Sequence, residues 1–359
     1  MSKTHLYVHV PFCKTICSYC DFCHYGYQTN NVKKWLEELK LEIASKDLND
    51  FDTIYIGGGT PSSLNAAELK ELLELIKPYS KNVIEYTIEV NPETIDEEKV
   101  KIMQSYGINR ISMGLQTSNK EELKLINRHH SFLDVVNVVN LFKSYGLNNI
   151  SIDVMYSLPN QTMATLAKTL EDVLSLDVPH ISLYSLTIEE NSLFGKKGYK
   201  SLDEDIEADM YEYICDVLEK HDYHRYEISN FSKRGYESKH NLGYWNYDDF
   251  VGISMGASGK ENHCRYDNTR SLKEYLNHNY LAEKIELSKE DEMFEQIMMS
   301  LRTVFGLDLD LFEKRYGISF FKHFKEAYTK HQNDFEIIDN HLIVKQLELL
   351  NSLLIDFLD

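Results

Sequence analysis

The sequence predicts an α/β fold in which repeated βα units build a parallel sheet or barrel, followed by a small, mostly helical C-terminal domain. Three observations predict it. Apolar strand-like runs alternate with amphipathic helical stretches, residues suited to chemistry recur where those runs end, and the pattern changes after about Leu287.

The strands read, in order, as "THLYVHV", "DTIYIGG", "IEYTIEV", "RISMGLQ", "NISIDVMY" and "HISLYSL", with helices such as "VKKWLEELKLEIASK" and "AAELKELLELIK" between them. A cluster of cysteines follows the first strand and "GGGT" follows the second. Glu89 lies late in the third, Gln116 ends the fourth, and Asp153 is in the fifth. Ligands of parallel α/β sheets bind at the carboxyl ends of strands, so these residues point to one face and one site. Beyond Leu287, "EDEMFEQIMMSLRTVFGLDLDLFEKRYG" and the tail "LIVKQLELLNSLLIDFLD" read as a small helical domain with a short strand pair. No low-complexity linker or internal repeat marks the junction. The division expected is residues 1–286 and 287–359.

A chain of 359 residues with 43% hydrophobic content is long and apolar enough for one barrel-like domain or two ordinary ones. It has no apolar run of about 18 residues and no charged-then-apolar leader, so a cytoplasmic protein without an integral membrane segment is expected. The formal net charge of -19 argues against nucleic-acid or anionic-membrane surfaces, which need a broad basic field.

Four of the six cysteines fall within eleven residues, in "FCKTICSYCDFCHYGY". In a reducing compartment such thiols bind metal or do chemistry rather than pair as disulfides. Cys13, Cys17 and Cys20 form C-x-x-x-C-x-x-C, and Cys23 follows. Structural zinc usually draws its ligands from two separated pairs, whereas three thiolates on one loop suit a corner of an iron-sulfur cluster. Three thiolates also leave the fourth iron of a 4Fe-4S cluster open to a small chelating molecule.

That spacing resembles the loop of radical S-adenosylmethionine (SAM) proteins. "YVHVPFC", "GGGTPSSL", "IEVNPETI", "RISMGLQTSN", "INRHH", "IDVMYSLPNQT", "HISLYSLTIEENS", "YEISNF" and "HNLGYWNYDDFVGISMGAS" follow, in order over residues 7–258, the pattern of the family of oxygen-independent coproporphyrinogen III oxidases and the heme chaperone HemW branch. Only the last tail fits poorly. The resemblance implies a partial (β/α) TIM-like radical SAM barrel, a 4Fe-4S cluster on Cys13, Cys17 and Cys20, and an electron donor for it. It also implies a SAM site of Tyr7, Tyr19, Gly58, Gly59, Thr60, Glu89, Gln116, Arg128 and Asp153. Glycines would let backbone approach the methionyl amine, Arg128 would pair a carboxylate, and Glu89 or Asp153 would accept ribose hydroxyls. Taken alone, "GGGT" reads as a tight turn, and it is not a P-loop because no Lys-Ser/Thr follows.

The family holds both catalysts and carriers. In the oxidases a further cysteine stands two residues after the third cluster cysteine; here that position is Phe22, as in the chaperone branch, and Cys23 comes one residue later. Cys23 reads as a small buried side chain. The chaperone branch associates the H-N-x-x-Y-W motif with heme, which makes His240 in "HNLGYW" a candidate axial ligand. The same residues could instead close a barrel end, with aromatic packing and a hydrogen-bonded histidine. His9, His24, His129, His130 and His180 read as packing or surface residues, and Cys215 and Cys264 are isolated. The expected function is therefore heme carriage, with heme as cargo passed to an acceptor protein. The alternative is radical decarboxylation of coproporphyrinogen III in porphyrin biosynthesis. Whether two chains pair as a dimer is left open by the sequence.

Overall fold

The computed structural model describes residues 4–48 and 50–358. Six parallel strands form its centre: β1 (Thr4–Val10), β2 (Thr53–Gly58), β3 (Glu85–Val90), β4 (Arg110–Gln116), β5 (Ile150–Tyr156) and β6 (His180–Ser185). Helices α1 (Thr29–Ser45), α2 (Ala66–Ile76), α3 (Glu97–Ser105), α4 (Lys120–Leu125), α5 (Phe132–Ser144) and α6 (Met163–Ser175) fall between them. Their starts are coded locally. Asn65 and Ser131 cap α2 and α5 in reciprocal boxes with Glu68 and Asp134, which satisfies donors that a helix start leaves unpaired.

Helix α7 (Glu204–Glu219) precedes two short strands, β7 (His224–Arg225) and β8 (Asn230–Ser232), and then comes α8 (Lys239–Trp245). Strand β9 (Asp249–Ile253) pairs in parallel with β1, although more than 230 residues separate them in sequence. Strands β10 (Ser258–Glu261), β11 (Cys264–Asn268) and β12 (Leu281–Glu286) extend that edge with antiparallel pairing. The 12-stranded sheet runs β12-β11-β10-β9-β1-β2-β3-β4-β5-β6-β8-β7. It is an open, partial barrel with antiparallel wings, and the wings are what βα periodicity alone does not announce.

The two faces of the sheet differ. Leu6, Val8, Ile54, Ile56, Ile88, Ile111, Met113, Ile152 and Leu183 are buried against the helices. The register puts the alternate set together on the inner face: His5, Thr53 and Glu85 in one layer, then Tyr7, Tyr55, Thr87 and Arg110, with Asp153 beside Gly114 and Ser182. The inner face is thus polar in layer after layer. Polar groups out of bulk water need partners, so this face is where a ligand or an internal plug has to be found.

A second apolar core lies C-terminal to the wing. It gathers Met293 and Ile297 of α9 (Lys289–Ser300) with Phe312, Phe320, Leu342, Leu350 and Phe357. Its sheet has three strands, β13 (Leu307–Asp308), β14 (Phe335–Ile338) and β15 (His341–Val344), rather than the expected pair. The extra strand is two residues long and runs straight into the helix that Asp308 caps, too short to leave a period in the sequence. Among the described residues no helix is long and apolar enough to cross a membrane.

Candidate functional site

The thiol loop leaves the end of β1 and is pinned on both sides. A two-residue ladder pairs Phe12–Cys13 with Tyr25–Gly26, Ser18 N donates to Ile126 O at 3.0 Å, and Asn127 Nδ2 donates to Ile16 O at 2.7 Å. Cys13 is buried, while Cys17 and Cys20 are half-buried. Thr60 Oγ1 lies 3.5 Å from Cys13 Sγ, and a Cβ on Gly59 would stand 3.0 Å from that sulfur. Burial pushes the Cys13 thiol up to about 12 and the Cys20 thiol up to about 11. A nearby cationic metal is what makes such buried thiols good thiolates. Among the described residues no three Cys, His, Asp or Glu side chains converge as a single tetrahedral ion requires. A cluster asks instead that each thiol reach a separate iron, which three cysteines spaced C-x-x-x-C-x-x-C on one loop allow.

The strand ends surround this loop. Gly58 has φ of 112°, and a Cβ there would stand 2.6 Å from the His9 ring, so glycine is required both for conformation and for room. Gly58 N and the Tyr55 hydroxyl donate to the Glu89 carboxylate at 3.0 and 2.8 Å. Burial, with the charge of Asp153 adding to it, pushes Glu89 up to about 7. Asp153 accepts from the Ser112 hydroxyl at 3.1 Å, and burial pushes it up to about 6. Both carboxyls hold their protons to higher pH than exposed ones would, and a cationic or hydrogen-bonding partner would favour their charged forms.

Arg128, just past α4, is the fixed cation of the site. Nη1 donates to Asn91 Oδ1 at 2.6 Å and Nη2 to the Tyr19 hydroxyl at 3.4 Å, while the buried Nε has no partner among the described residues. Gln116 ends β4 with φ of 69° at a register shift, and Gly114 leaves room for its amide and for Arg128 Nη2. A Cβ on Gly114 would approach these two groups to 2.8 and 3.2 Å. The Tyr7 hydroxyl bonds His9 Nδ1 at 3.0 Å, and His9 Nε2 reaches Cys23 O at 2.8 Å. Cys13, Gly58, Gly59, Thr60, Glu89, Gln116 and Arg128, with Tyr19 against Arg128, therefore lie toward the strand ends, Asp153 is in register with Gly114, and Tyr7 lies lower on β1 in register with Tyr55. Cys23 is buried, with its thiol 3.6 Å from Arg270 O.

His240 is elsewhere. Helix α8 plugs the opposite end, where strands begin. Glu85, the first residue of β3, accepts from the backbone N–H groups of Lys239 and His240 at 3.0 and 2.9 Å, a carboxylate at a helix N-terminus. His240 Nδ1 bonds Thr53 Oγ1 at 2.6 Å and Nε2 bonds the Tyr244 hydroxyl at 2.8 Å. With 1% exposure and both ring nitrogens engaged, His240 would ligate iron only by breaking one of these bonds and opening the floor. The geometry here corresponds to the barrel-closing reading of "HNLGYW". Gly243 lets α8 approach closely, since a Cβ there would lie 2.2 Å from His5 Nε2.

Three residues of the mouth are missing from the site read in the sequence. Asn91 anchors Arg128, Gly114 makes room for it, and His9 wedges under Gly58. Asn91 directly follows β3, so the strand-end rule that selects "GGGT" also selects it. His9 and Gly114 carry no such signal, because their roles depend on contacts between strands.

The Radical SAM superfamily model matches residues 7–173, and the HemN C-terminal domain model matches residues 287–349. A heme chaperone HemW of Lactococcus lactis is 38% identical over 98% of this chain and 96% of its own length. The heme chaperone HemW of Bacillus subtilis is 39% identical over 87% of each chain, and that of Escherichia coli 33% over 83% and 82%. Coproporphyrinogen III oxidase (HemN) from Escherichia coli superposes with a TM-score of 0.87 over 99% of this chain and 90% of that one, at 22% identity, a likeness of fold. Polar inner face, thiol loop and full-length similarity lead to one conclusion: the chain belongs to the HemW heme-chaperone family of radical SAM proteins.

Proposed function

We propose that the protein carries heme and delivers it to an acceptor protein, with a 4Fe-4S cluster on Cys13, Cys17 and Cys20 and SAM bound beside it. When bound and reduced, the cluster can supply one electron to SAM. The chain's own residues do the holding. Arg128 Nε, buried and without a partner among the described residues, offers a charge-assisted hydrogen bond to a carboxylate. Gly58 and Gly59 admit a ligand against the backbone, Thr60 and Gln116 line its path, and Tyr7 and Tyr19 close the sides. Glu89 and Asp153 accept hydroxyl or ammonium groups. His240 is assigned to the barrel floor.

The observation that carries the carrier reading over the oxidase is Phe22, 70% exposed on the cluster loop where the oxidase pattern has a thiol. The second core supports treating residues 287–359 as a domain of its own. Reduced thiols suit the cytoplasm, an electron donor is needed for the cluster, and the acidic balance does not favour nucleic acid. The test is to present the anaerobically reconstituted protein with heme and, separately, with coproporphyrinogen III plus SAM and reductant. Near-stoichiometric heme binding without decarboxylation is expected. Turnover of coproporphyrinogen III would establish the oxidase instead.

A further inference from the structure

Between the mouth and the floor, the inner face carries a cation that neither of them uses. Arg110 opens β4 in register with Thr87 of β3, and both side chains lie on the polar face, since Tyr86, Ile88, Ile111 and Met113 pack into the apolar core. Arg110 is 2% exposed, yet its side chain makes no hydrogen bond or ion pair among the described residues. Its Nε and the Thr87 hydroxyl are both buried without a partner among those residues, on neighbouring strands at the same level. Arg110 stands four residues before Gly114, which adjoins Arg128, and so lies about 13 Å below the mouth at roughly 3.3 Å per strand residue. Tyr184, two residues beyond Ser182 on the same face of β6, is 43% exposed, so the lumen above this layer is open.

We infer that Arg110 and Thr87 form an anion subsite at the bottom of the lumen, which holds one carboxylate of a ligand lying beneath the SAM site. A guanidinium is a permanent charge, and burying it without a counter-ion is unfavourable. A water molecule there would satisfy hydrogen bonds and leave the charge uncompensated. The interior carboxyls are engaged elsewhere: Glu85 by the N–H groups of α8, Glu89 by Tyr55 and Gly58 N, and Asp153 by Ser112. Burial, with the charge of Arg110 adding to it, holds the imidazoles of His180 and His240 well below their usual range, so these neighbours bring no second positive charge. One cation beside one hydroxyl, in a lumen that already holds three carboxyls, matches a singly charged planar group better than a phosphate. A carboxylate accepts from a guanidinium and a hydroxyl together. Two sources share this chemistry, a free small acid and a propionate of a tetrapyrrole, and only the second rests on the carrier reading above.

The probe is propionate, with propionamide as its uncharged counterpart, observed by saturation-transfer NMR on the anaerobically reconstituted protein with SAM. Arg110→Leu removes the charge and breaks no hydrogen bond or ion pair among the described residues, so it should fold. Thr87→Val, which keeps the side-chain shape, is the second variant. Expected are transfer to propionate but not to propionamide in wild type, at least ~10-fold weaker propionate binding in Arg110→Leu, and a smaller loss in Thr87→Val. A second arm compares heme with its dimethyl ester, which lacks the propionate charges, by Soret titration. A preference for heme in wild type that Arg110→Leu erases supports the subsite with a tetrapyrrole propionate as the source. Equal binding of heme and ester, with propionate still bound, supports it with a free acid as the source. No propionate transfer in wild type together with no preference for heme over its ester overturns the subsite, as do responses that neither variant alters. A wild type that binds no heme at all removes the carrier reading and leaves the propionate arm to decide the subsite.

Discussion

The two ends of the barrel use the same residue types and put them to different ends. At the floor, Glu85 receives the N-terminal amides of α8, and His240 is bonded on both sides by Thr53 and Tyr244. Four residues up the same strand, Glu89 receives Tyr55 and Gly58 N and is pushed up to about 7 by burial, and at the same end of the barrel Arg128 Nε has no partner among the described residues. A histidine or glutamate inside a barrel is thus not a site by virtue of its type. What marks a site is bonding capacity that the protein itself leaves unused.

The comparison can be broken first at the cysteine loop, where the largest effect is expected. Cys17 is half-buried with its thiol beside the Tyr19 hydroxyl, and the loop is pinned instead by the Phe12–Cys13 ladder, Ser18 N and Asn127, so Cys17→Ala should leave the fold intact. Iron and sulfide per chain after reconstitution should fall to background. Retention of a full cluster would remove the loop from the account. At the floor, His240→Ala takes one partner from Tyr244 and one from Thr53, which keeps His5, and leaves a void where the ring stood. It should lower unfolding stability by roughly 2–4 kcal/mol in urea titration, the sum of a lost buried hydrogen-bond pair and a small void. Cluster assembly in that variant should be unaffected.

The smallest effect sharpens the contrast between Glu85 and Glu89. The folded-state pKa of Glu89 is raised from 4.5 to about 7, chiefly by burial. Between those values the native state holds a proton that the unfolded state has released, so stability falls as pH rises from about 4.5 to about 7 and stays lowered above. Glu89→Gln removes that penalty. The ligand-free variant should gain on the order of 1–3 kcal/mol at pH 8 and little at pH 4, measured by urea midpoints, while binding SAM more weakly. An unchanged midpoint at pH 8 would mean that the Tyr55 hydroxyl and Gly58 N already offset the burial of Glu89.

Much of this was legible in the sequence because it is local. "THLYVHV" and "RISMGLQ" coincide with β1 and β4, and "DTIYIGG", "IEYTIEV" and "NISIDVMY" begin one residue early. Strand-end chemistry was legible for the same reason: each residue is read against its own strand. What was not legible depends on pairing over distance. Nothing in "DFVGI" says that it lies beside β1, and β12 is exposed at every position, without the alternation that betrays a half-buried strand. Glu38 and Glu42 of α1 are both buried, because the wing supplies hydroxyls and a histidine that no local pattern reveals. The motif "HNLGYW" was legible as important, but that it lies where the strands begin, bonded to Thr53 and Glu85, depends on pairing over distance.

The most direct measurement of the central claim, that the ligand end is the mouth and the floor is structural, is the electron paramagnetic resonance spectrum of the reduced, reconstituted protein with and without SAM. Wild type and His240→Ala should both show a change of signal on adding SAM, and Arg128→Ala should show it only at higher SAM, its affinity reduced by roughly 1.5–3 kcal/mol. A wild-type signal indifferent to SAM, or a response abolished by His240→Ala and untouched by Arg128→Ala, would contradict the account.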